Sequence, residues 1–329
     1  MKANKLLSIT VPTFNRAEIL DYFLSVNIPK LAAYNIQIFI SDNASTDNTN
    51  EIVLKWIRIY PYLKYYKNEV NVGMDRNFEL ALNYSDSEYT WLFGDTYILP
   101  DDGISLIISK IESHSERFDA IIVNLKNRVN GTQPTVYSNS NCLLSDLGWH
   151  VTCISCNIFK KDLIDSANFQ RYYSTDLAHV GVLFEYIATK TFSVLWEPNI
   201  VVQSSPVKSK VANSWFPQVF EIWLIKWPNL IYSLPVKYEL SSKIKCISDH
   251  NVKSKLMSFS GLLNLRALGI LDTRAYQRYS NVFPISVSVS RPVVFLIAMT
   301  PRFPLRIARS TYMFLRAFSR RKVELRTIS

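Results

Sequence analysis

Three polar clusters in the first hundred residues each follow a short hydrophobic run. Leu6 to Val11 leads into Pro12-Thr13-Phe14-Asn15-Arg16, Ile36 to Ile40 into Ser41-Asp42-Asn43, and Tyr89 to Phe93 into Gly94-Asp95. A carboxylate at a strand end can accept hydrogen bonds from a base or a ribose, and a hydroxyl and a guanidinium can reach ribose or phosphate oxygens from a turn that proline fixes. A fourth cluster, Asn71 to Asn77, sets Gly73, which admits close backbone approach, three residues before Arg76, which offers charge to a diphosphate. Ligands of open parallel sheets bind beyond the carboxyl ends of the strands, so these groups form one site if the strands are neighbours. The chemistry suits a nucleotide-type ligand, with Pro12, Thr13, Arg16, Asp42, Asn43, Gly73, Arg76 and Asp95 as candidate contacts. Asp75 and Asn77 read as helix caps.

The elements that must carry these clusters alternate. Ile19, Leu20, Phe23 and Leu24 recur at helical spacing over 17–26, and Asp47 can cap a helix to about Ile59. Leu63 to Lys67 reads as a strand, Met74 to Leu82 as a helix, Tyr89 to Phe93 as a strand, Ile104 to Ile111 as a helix and Ala120 to Leu125 as a strand. Residues 127–141 read as a loop or hairpin. A strand over Thr152 to Phe159, a helix over His179 to Ala188 and a strand over Phe192 to Trp196 follow. This rhythm predicts an α/β fold with a mostly parallel sheet covered by helices on both faces. From Trp215 to Ile270 the chain reads as helices, so the expected division is an α/β domain over 1–203 and a helical extension over 204–329.

A chain of 329 residues with 48% hydrophobic content can bury a sizeable core, and that content excludes a disordered chain. The net charge of +10 is local. No acidic residue lies between Asp272 and Glu324, while ten basic residues run from Arg274 to Lys322 and account for the whole excess. Four cysteines without disulfide-type spacing, and no secretory signal at the start, point to the cytoplasm. Cys153-Ile154-Ser155-Cys156 has no second pair beside it and reads as buried thiols on a strand. No apolar run approaches the roughly 20 residues that a membrane-spanning helix needs.

Pro12 to Arg16, Ser41-Asp42-Asn43-Ala44-Ser45-Thr46-Asp47, Asn71-Val72-Gly73-Met74-Asp75-Arg76-Asn77 and Trp91-Leu92-Phe93-Gly94-Asp95 resemble, in order and spacing, the successive motifs of family 2 glycosyltransferases. Within that family the wording is most similar to bacterial surface-polysaccharide enzymes of the abequosyltransferase type. The resemblance covers roughly residues 5 to 110. It implies a GT-A-like nucleotide-sugar-binding fold and inverting transfer from a nucleotide-sugar donor to a lipid-linked oligosaccharide acceptor, in O-antigen or capsule synthesis. It also implies that Asp42 meets the nucleobase, that Pro12, Thr13 and Arg16 wrap the nucleotide, and that a divalent cation, Mg²⁺ or Mn²⁺, sits near Asp95. Family members usually read Gly-Asp-Asp-Asp there, whereas this chain reads Gly94-Asp95-Thr96-Tyr97, with tyrosine at the usual direct ligand. Asp95 with donor phosphates, basic residues such as Arg76, or a loss of activity are the three readings of that departure.

The resemblance places the catalytic base near Ser174 to Val180, where Asp176 and His179 both fit and Glu185 is a weaker third choice. Arg302 to Arg309 and Tyr312 to Phe318 interleave cations with bulky apolar groups, as a segment lying on an anionic membrane surface does. The expectation is peripheral attachment to the inner face of the cell membrane, with no nucleic-acid partner. The rival is a catalytically degenerate paralogue acting as a non-enzymatic binding module.

Overall fold

The computed structural model describes residues 2–113, 118–207 and 215–311. Nine strands among them form one sheet. They are β1 (Leu7–Thr13), β2 (Gln37–Asp42), β3 (Leu63–Lys67), β4 (Tyr89–Leu92), β5 (Tyr97–Ile98), β6 (Ala120–Leu125), β7 (Thr135–Tyr137), β8 (Asn157–Lys160) and β9 (Val194–Ser204). The order is β3-β2-β1-β4-β8-β6-β9-β5, with β7 on β9. β3, β2, β1 and β4 run parallel, as do β6 and β9, and β8 lies antiparallel between β4 and β6. The expected mostly parallel α/β sheet is therefore present.

β1 shows why the sheet's centre lies here. Leu7, Ile9 and Val11 alternate into the main core, while Ser8 and Thr10 point to the other face, equally buried. Ser8 Oγ meets Ser85 Oγ at 2.6 Å, so the polar atom placed inside is satisfied. The parallel pairing of β2-β1-β4 brings the ends of these strands to one edge of the sheet, which sets the site.

The helices of the first half are α1 (Ala17–Ala32), α2 (Thr49–Ile57), α3 (Met74–Asn83), α4 (Gly103–Ser113), α5 (Ser140–Leu147), α6 (Lys161–Ser166) and α7 (Ala178–Thr189). α1 is longer than the periodicity predicts and runs through Pro29. Ile28 and Leu31 extend its buried face, and buried Asn27 holds the next segment by donating to Phe23 O and accepting from Leu99 N. The expected strand over Thr152 to Phe159 is instead a 3₁₀ turn, Ile154–Cys156, followed by β8. Asn157 Nδ2 donates to the carbonyls of Val151 and Cys153 and folds the segment back. Cys153 and Cys156 are buried free thiols, as expected, but Cys153 precedes this turn and Cys156 ends it, so neither lies on a strand.

Later helices are α8 (Trp227–Ser233), α9 (Leu240–Ser254), α10 (Phe259–Leu268), α11 (Thr273–Tyr279), α12 (Phe283–Ser286) and α13 (Arg291–Met299). The chain divides into two compact units: residues 1–216 with 226–246, and residues 217–225 with those from 247 onward. The first contains the sheet. The second has its own apolar centre, where Phe220 meets Tyr279 and Phe283 at ring separations of 5.6 and 5.9 Å and Leu262, Leu265, Val294 and Ala298 are buried. Residues 302–311 are helical, and Leu296, Met299, Phe303 and Ile307 are exposed. Arg309 Nε donates to Asn264 Oδ1 at 2.7 Å, so one of the tail cations packs on its own unit. The basic and aromatic positions from Tyr312 to Lys322 lie outside the described residues. No helix among the described residues is long and apolar enough to cross a membrane.

Candidate active site

The ends of β1 and β4 are joined by one carboxylate. Asp95, 2% exposed, accepts from Thr13 Oγ1 at 2.9 Å through one oxygen and from Arg16 Nη1 at 2.8 Å through the other. A buried carboxylate costs free energy unless it is paired and hydrogen-bonded, and here it is both. Pro12 is buried in β1 opposite Ser41, Thr13 ends the strand, and Arg16 follows the turn through Asn15.

β2 joins the same edge. Asn43 N donates to Thr13 O at 2.9 Å, and Asn15 N donates to Ser45 Oγ at 2.8 Å. Asp42 has no exposed surface. One of its oxygens accepts from Ser45 N at 2.8 Å and the other from Tyr65 OH at 2.6 Å. That bond, with burial, pushes the Tyr65 phenol well above its usual range. Asn15 and Ala44 hold left-handed backbone, φ 52° and 64°, at the two turns that follow β1 and β2. Such geometry is disfavoured for residues with a Cβ and concentrates at functional sites.

The Asn71 to Asn77 cluster is tied to β2 through Asn43, whose Nδ2 donates to Asn71 Oδ1 and Gly73 O and whose Oδ1 accepts from Val72 N. Gly73 sits at φ 84° just before α3, with open space where a Cβ would stand, so backbone conformation is what demands glycine. Arg76 is exposed on α3. Asn77 does not cap its own helix; it is buried and exchanges hydrogen bonds with Ser41 of β2.

Asp75 is the largest departure from expectation. From the first turn of α3 its carboxylate caps a different helix, accepting from Asp176 N at 2.8 Å and Ala178 N at 2.9 Å at the start of α7. Burial, opposed by these two bonds, pushes its pKa up to about 6. Asp176 itself is half-buried, with left-handed backbone at φ 62°, and its carboxylate pairs with Lys226 Nζ at 2.7 Å.

His179 is placed elsewhere. It is 1% exposed on α7, edge-on to Phe78, and its Nε2–H donates to the Val151 carbonyl at 3.1 Å. Burial lowers its pKa to about 4, so it stays neutral inside the fold. Asp176, and not His179, is the titratable group that the start of α7 leaves partly open to solvent. Glu185, also on α7, pairs with Arg171 of the 3₁₀ turn Phe169–Tyr172.

Tyr97 has Cys153 as its side-chain partner. Its ring packs beside Gly94, and the neighbouring Cys153, with burial, pushes the phenol well above its usual range. Asp95 is thus the carboxylate at this strand end, and among the described residues no group of three His, Cys, Asp or Glu side chains is arranged to hold a metal ion. The donor set suits a hard cation shared with phosphate oxygens of a ligand and does not suit a cage built by protein alone.

Residues 8–165 match the family model for glycosyl transferase family 2. Over those residues the chain is similar to family 2 glycosyltransferases. A curated relative, the abequosyltransferase RfbV of Salmonella typhimurium, is 30% identical over 207 residues, which cover 56% of this chain and 62% of the relative. Among solved structures, Staphylococcus aureus TarS 1–349 in complex with UDP superposes with a TM-score of 0.55 at 16% identity, covering 93% of this chain and 87% of that one. The mannosyltransferase PcManGT from Pyrobaculum calidifontis, in complex with GDP-Man and Mn²⁺, gives 0.53 at 15% identity, covering 92% and 88%. At those identities the likeness shows a GT-A fold and nothing finer.

Tyr65, Asn68 and Lys226 were not singled out in the sequence. Tyr65 and Asn68 lie in or just after β3, whose alternation of exposed and buried residues gives no hint that they grip Asp42 and Asn43.

Proposed function

We propose that this chain is an inverting glycosyltransferase that moves a sugar from a nucleotide-sugar donor to a lipid-linked glycan acceptor in bacterial surface-polysaccharide synthesis. The observation that carries the reading is the continuous hydrogen-bond path from Asp42 and Asn43 through Thr13 to Asp95 and Arg16, laid along one edge of the sheet within the residues similar to family 2 glycosyltransferases. The similarity to an abequosyltransferase supports sugar transfer as the reaction class.

Each residue then has a task. Asp42 holds the base, since a carboxylate oxygen with one hydrogen bond keeps a lone pair for another, and Asn43, whose side chain is taken up by Asn68, Asn71, Val72 and Gly73, fixes the loop beside it. Thr13, Arg16 and Arg76 face the diphosphate, where guanidinium groups offset charge that grows on the leaving group. Asp176 takes the proton of the acceptor hydroxyl as its oxygen bonds to the anomeric carbon and the bond to the nucleoside diphosphate breaks on the opposite face. A divalent cation between Asp95 and the donor phosphates would supply further neutralisation of that leaving group. A non-enzymatic binding module has Tyr97 as its main support, and that side chain is turned toward Cys153 while Asp95 stays in place.

Incubation with a panel of nucleotide sugars and polyprenyl-diphosphate-linked glycans tests this, and no transfer or donor hydrolysis from any pair would refute it. Asp42→Ala is expected to weaken nucleotide binding at least tenfold, about 1.4 kcal/mol, because it removes a charged acceptor. Calorimetry on the folded variant checks this, and unchanged affinity removes Asp42 from the donor site.

Attachment to an anionic membrane surface belongs to the same reading. Leu296, Met299, Phe303 and Ile307 are exposed beside Arg302 and Arg306, a mixture that inserts apolar groups while cations meet anionic headgroups. Phe303→Glu with Ile307→Glu is expected to weaken binding to phosphatidylglycerol vesicles at least tenfold, about 1.4 kcal/mol, and to leave donor hydrolysis intact. Cosedimentation measures it, and equal binding by the variant would place the contact elsewhere.

A further inference from the structure

α7 begins without a cap of its own. Leu177 occupies the N-cap position and provides no side-chain acceptor, although the first N–H groups of any helix need partners from outside. The partner comes from 101 and 103 residues earlier, in the two oxygens of Asp75. Those oxygens are bound to the backbone of Asp176 and of Ala178, two residues on, and the Asp176 backbone is in the left-handed region that non-glycine residues rarely hold unless their surroundings impose it. From the other side Lys226 pairs with the Asp176 carboxylate. The candidate base is therefore fixed at both its main chain and its side chain.

We propose that Asp75 is a positioning residue for the transfer step: it anchors the N–H groups of Asp176 and Ala178 and so holds the Asp176 carboxylate where it can take the acceptor proton. This rests on reading the chain as a glycosyltransferase with Asp176 as base. Asp75 also lies between Gly73 and Arg76, the two candidate donor contacts of that segment, so donor and base are braced by one helical turn.

Stability alone does not account for an acid here. A carboxyl whose pKa rises from 3.8 unfolded to about 6 folded favours the fold below the unfolded value and loses that advantage as pH rises through 6. At neutral pH the ionised group is a burden on the fold, as expected of a group kept for placement. The charged groups around it are Asp176, which raises its pKa, and Lys226, which lowers it. Tyr173, bound to Glu79 of α3, is itself affected by the charges of Arg76 and Asp75, and neutral His179 lies one turn away against Phe78.

The test follows the Asp176 and Ala178 amides in ¹⁵N-labelled full-length protein between pH 4.5 and 8. Both are expected to shift with a midpoint near 6 in the wild type and to be flat in Asp75→Asn. An amide side chain offers one acceptor oxygen where the carboxylate offers two, so the start of α7 loses one bond. kcat on whichever nucleotide sugar the wild type hydrolyses is expected to fall at least tenfold in that variant, with donor KM changed less than twofold. Amides that do not titrate in the wild type, or a kcat unchanged in Asp75→Asn, overturn the proposal. The wild-type titration needs no variant, so a failure of Asp75→Asn to fold leaves that arm decisive. Titrating amides in a protein that turns over no donor would support the anchor and refute the glycosyltransferase reading instead.

Discussion

Asp176→Asn is expected to lower kcat by about 10²- to 10⁴-fold, the range that general-base catalysis supplies, with donor KM within a few-fold of wild type. Asparagine is the informative substitute because Asp176 sits at φ 62°, a region that Asn tolerates as well as Asp does. The backbone bond to Asp75 survives, and only the proton acceptor is removed. Lys226 loses its partner but is partly exposed and can turn to water, and pairs of this kind contribute about 0 to 1 kcal/mol, too little to unfold the domain. His179→Asn is the contrasting variant. It disturbs a packed ring and its bond to Val151 O, so it should lower the urea midpoint and leave kcat per folded molecule near wild type. Stopped assays of donor consumption, scaled to folded protein by circular dichroism, separate the two. A large loss in His179→Asn with little in Asp176→Asn would transfer the role of base to the histidine.

The site's parts differ in how far they could be read in advance. Thr13, Asp42, Asn43 and Asp95 were legible because strand ends are marked locally, by an apolar run that stops at a polar cluster. β3 and β6 match the expected boundaries, since Leu63–Lys67 and Ala120–Leu125 are bounded by turn residues on both sides. The 3₁₀ turn at Ile154–Cys156 was not legible, because what bends it is the side chain of Asn157 reaching back to carbonyls, and that competes with a hydrophobic run that otherwise suits a strand. The long-range partners were hidden for a plainer reason. Nothing near Asp75 says that its carboxylate will serve a helix a hundred residues on, although the start of α7, with leucine at the cap, does signal that some outside acceptor is needed. His179 fits by its type and by its place in the motif, and nothing in the sequence signals that it lies buried against Phe78.

Asp95→Asn is expected to reduce sugar transfer at least 100-fold, the scale on which single electrostatic stabilisers of a transition state act. The replacement is isosteric, so the bond from Thr13 persists and the strand end keeps its shape. What changes is charge, because Arg16 then faces a neutral amide and the strand end becomes more positive by one unit. That change separates two roles with opposite signs in binding. If Asp95 shares a cation with the donor diphosphate, wild-type activity vanishes in excess chelator, returns with Mn²⁺, and Asp95→Asn binds nucleoside diphosphate more weakly at every Mn²⁺ concentration. If Arg16 neutralises the leaving group directly, Asp95 competes with the phosphate for the guanidinium. The variant would then bind nucleoside diphosphate more tightly, and chelator would leave the wild type active. With Asp95 buried at the end of β4 and bridged to β1 by Thr13 and Arg16, the expected result is the first pattern, in which Asp95 would hold a cation that neutralises the donor diphosphate. Titration calorimetry of UDP and GDP with and without Mn²⁺, on wild type and Asp95→Asn, reads that sign directly.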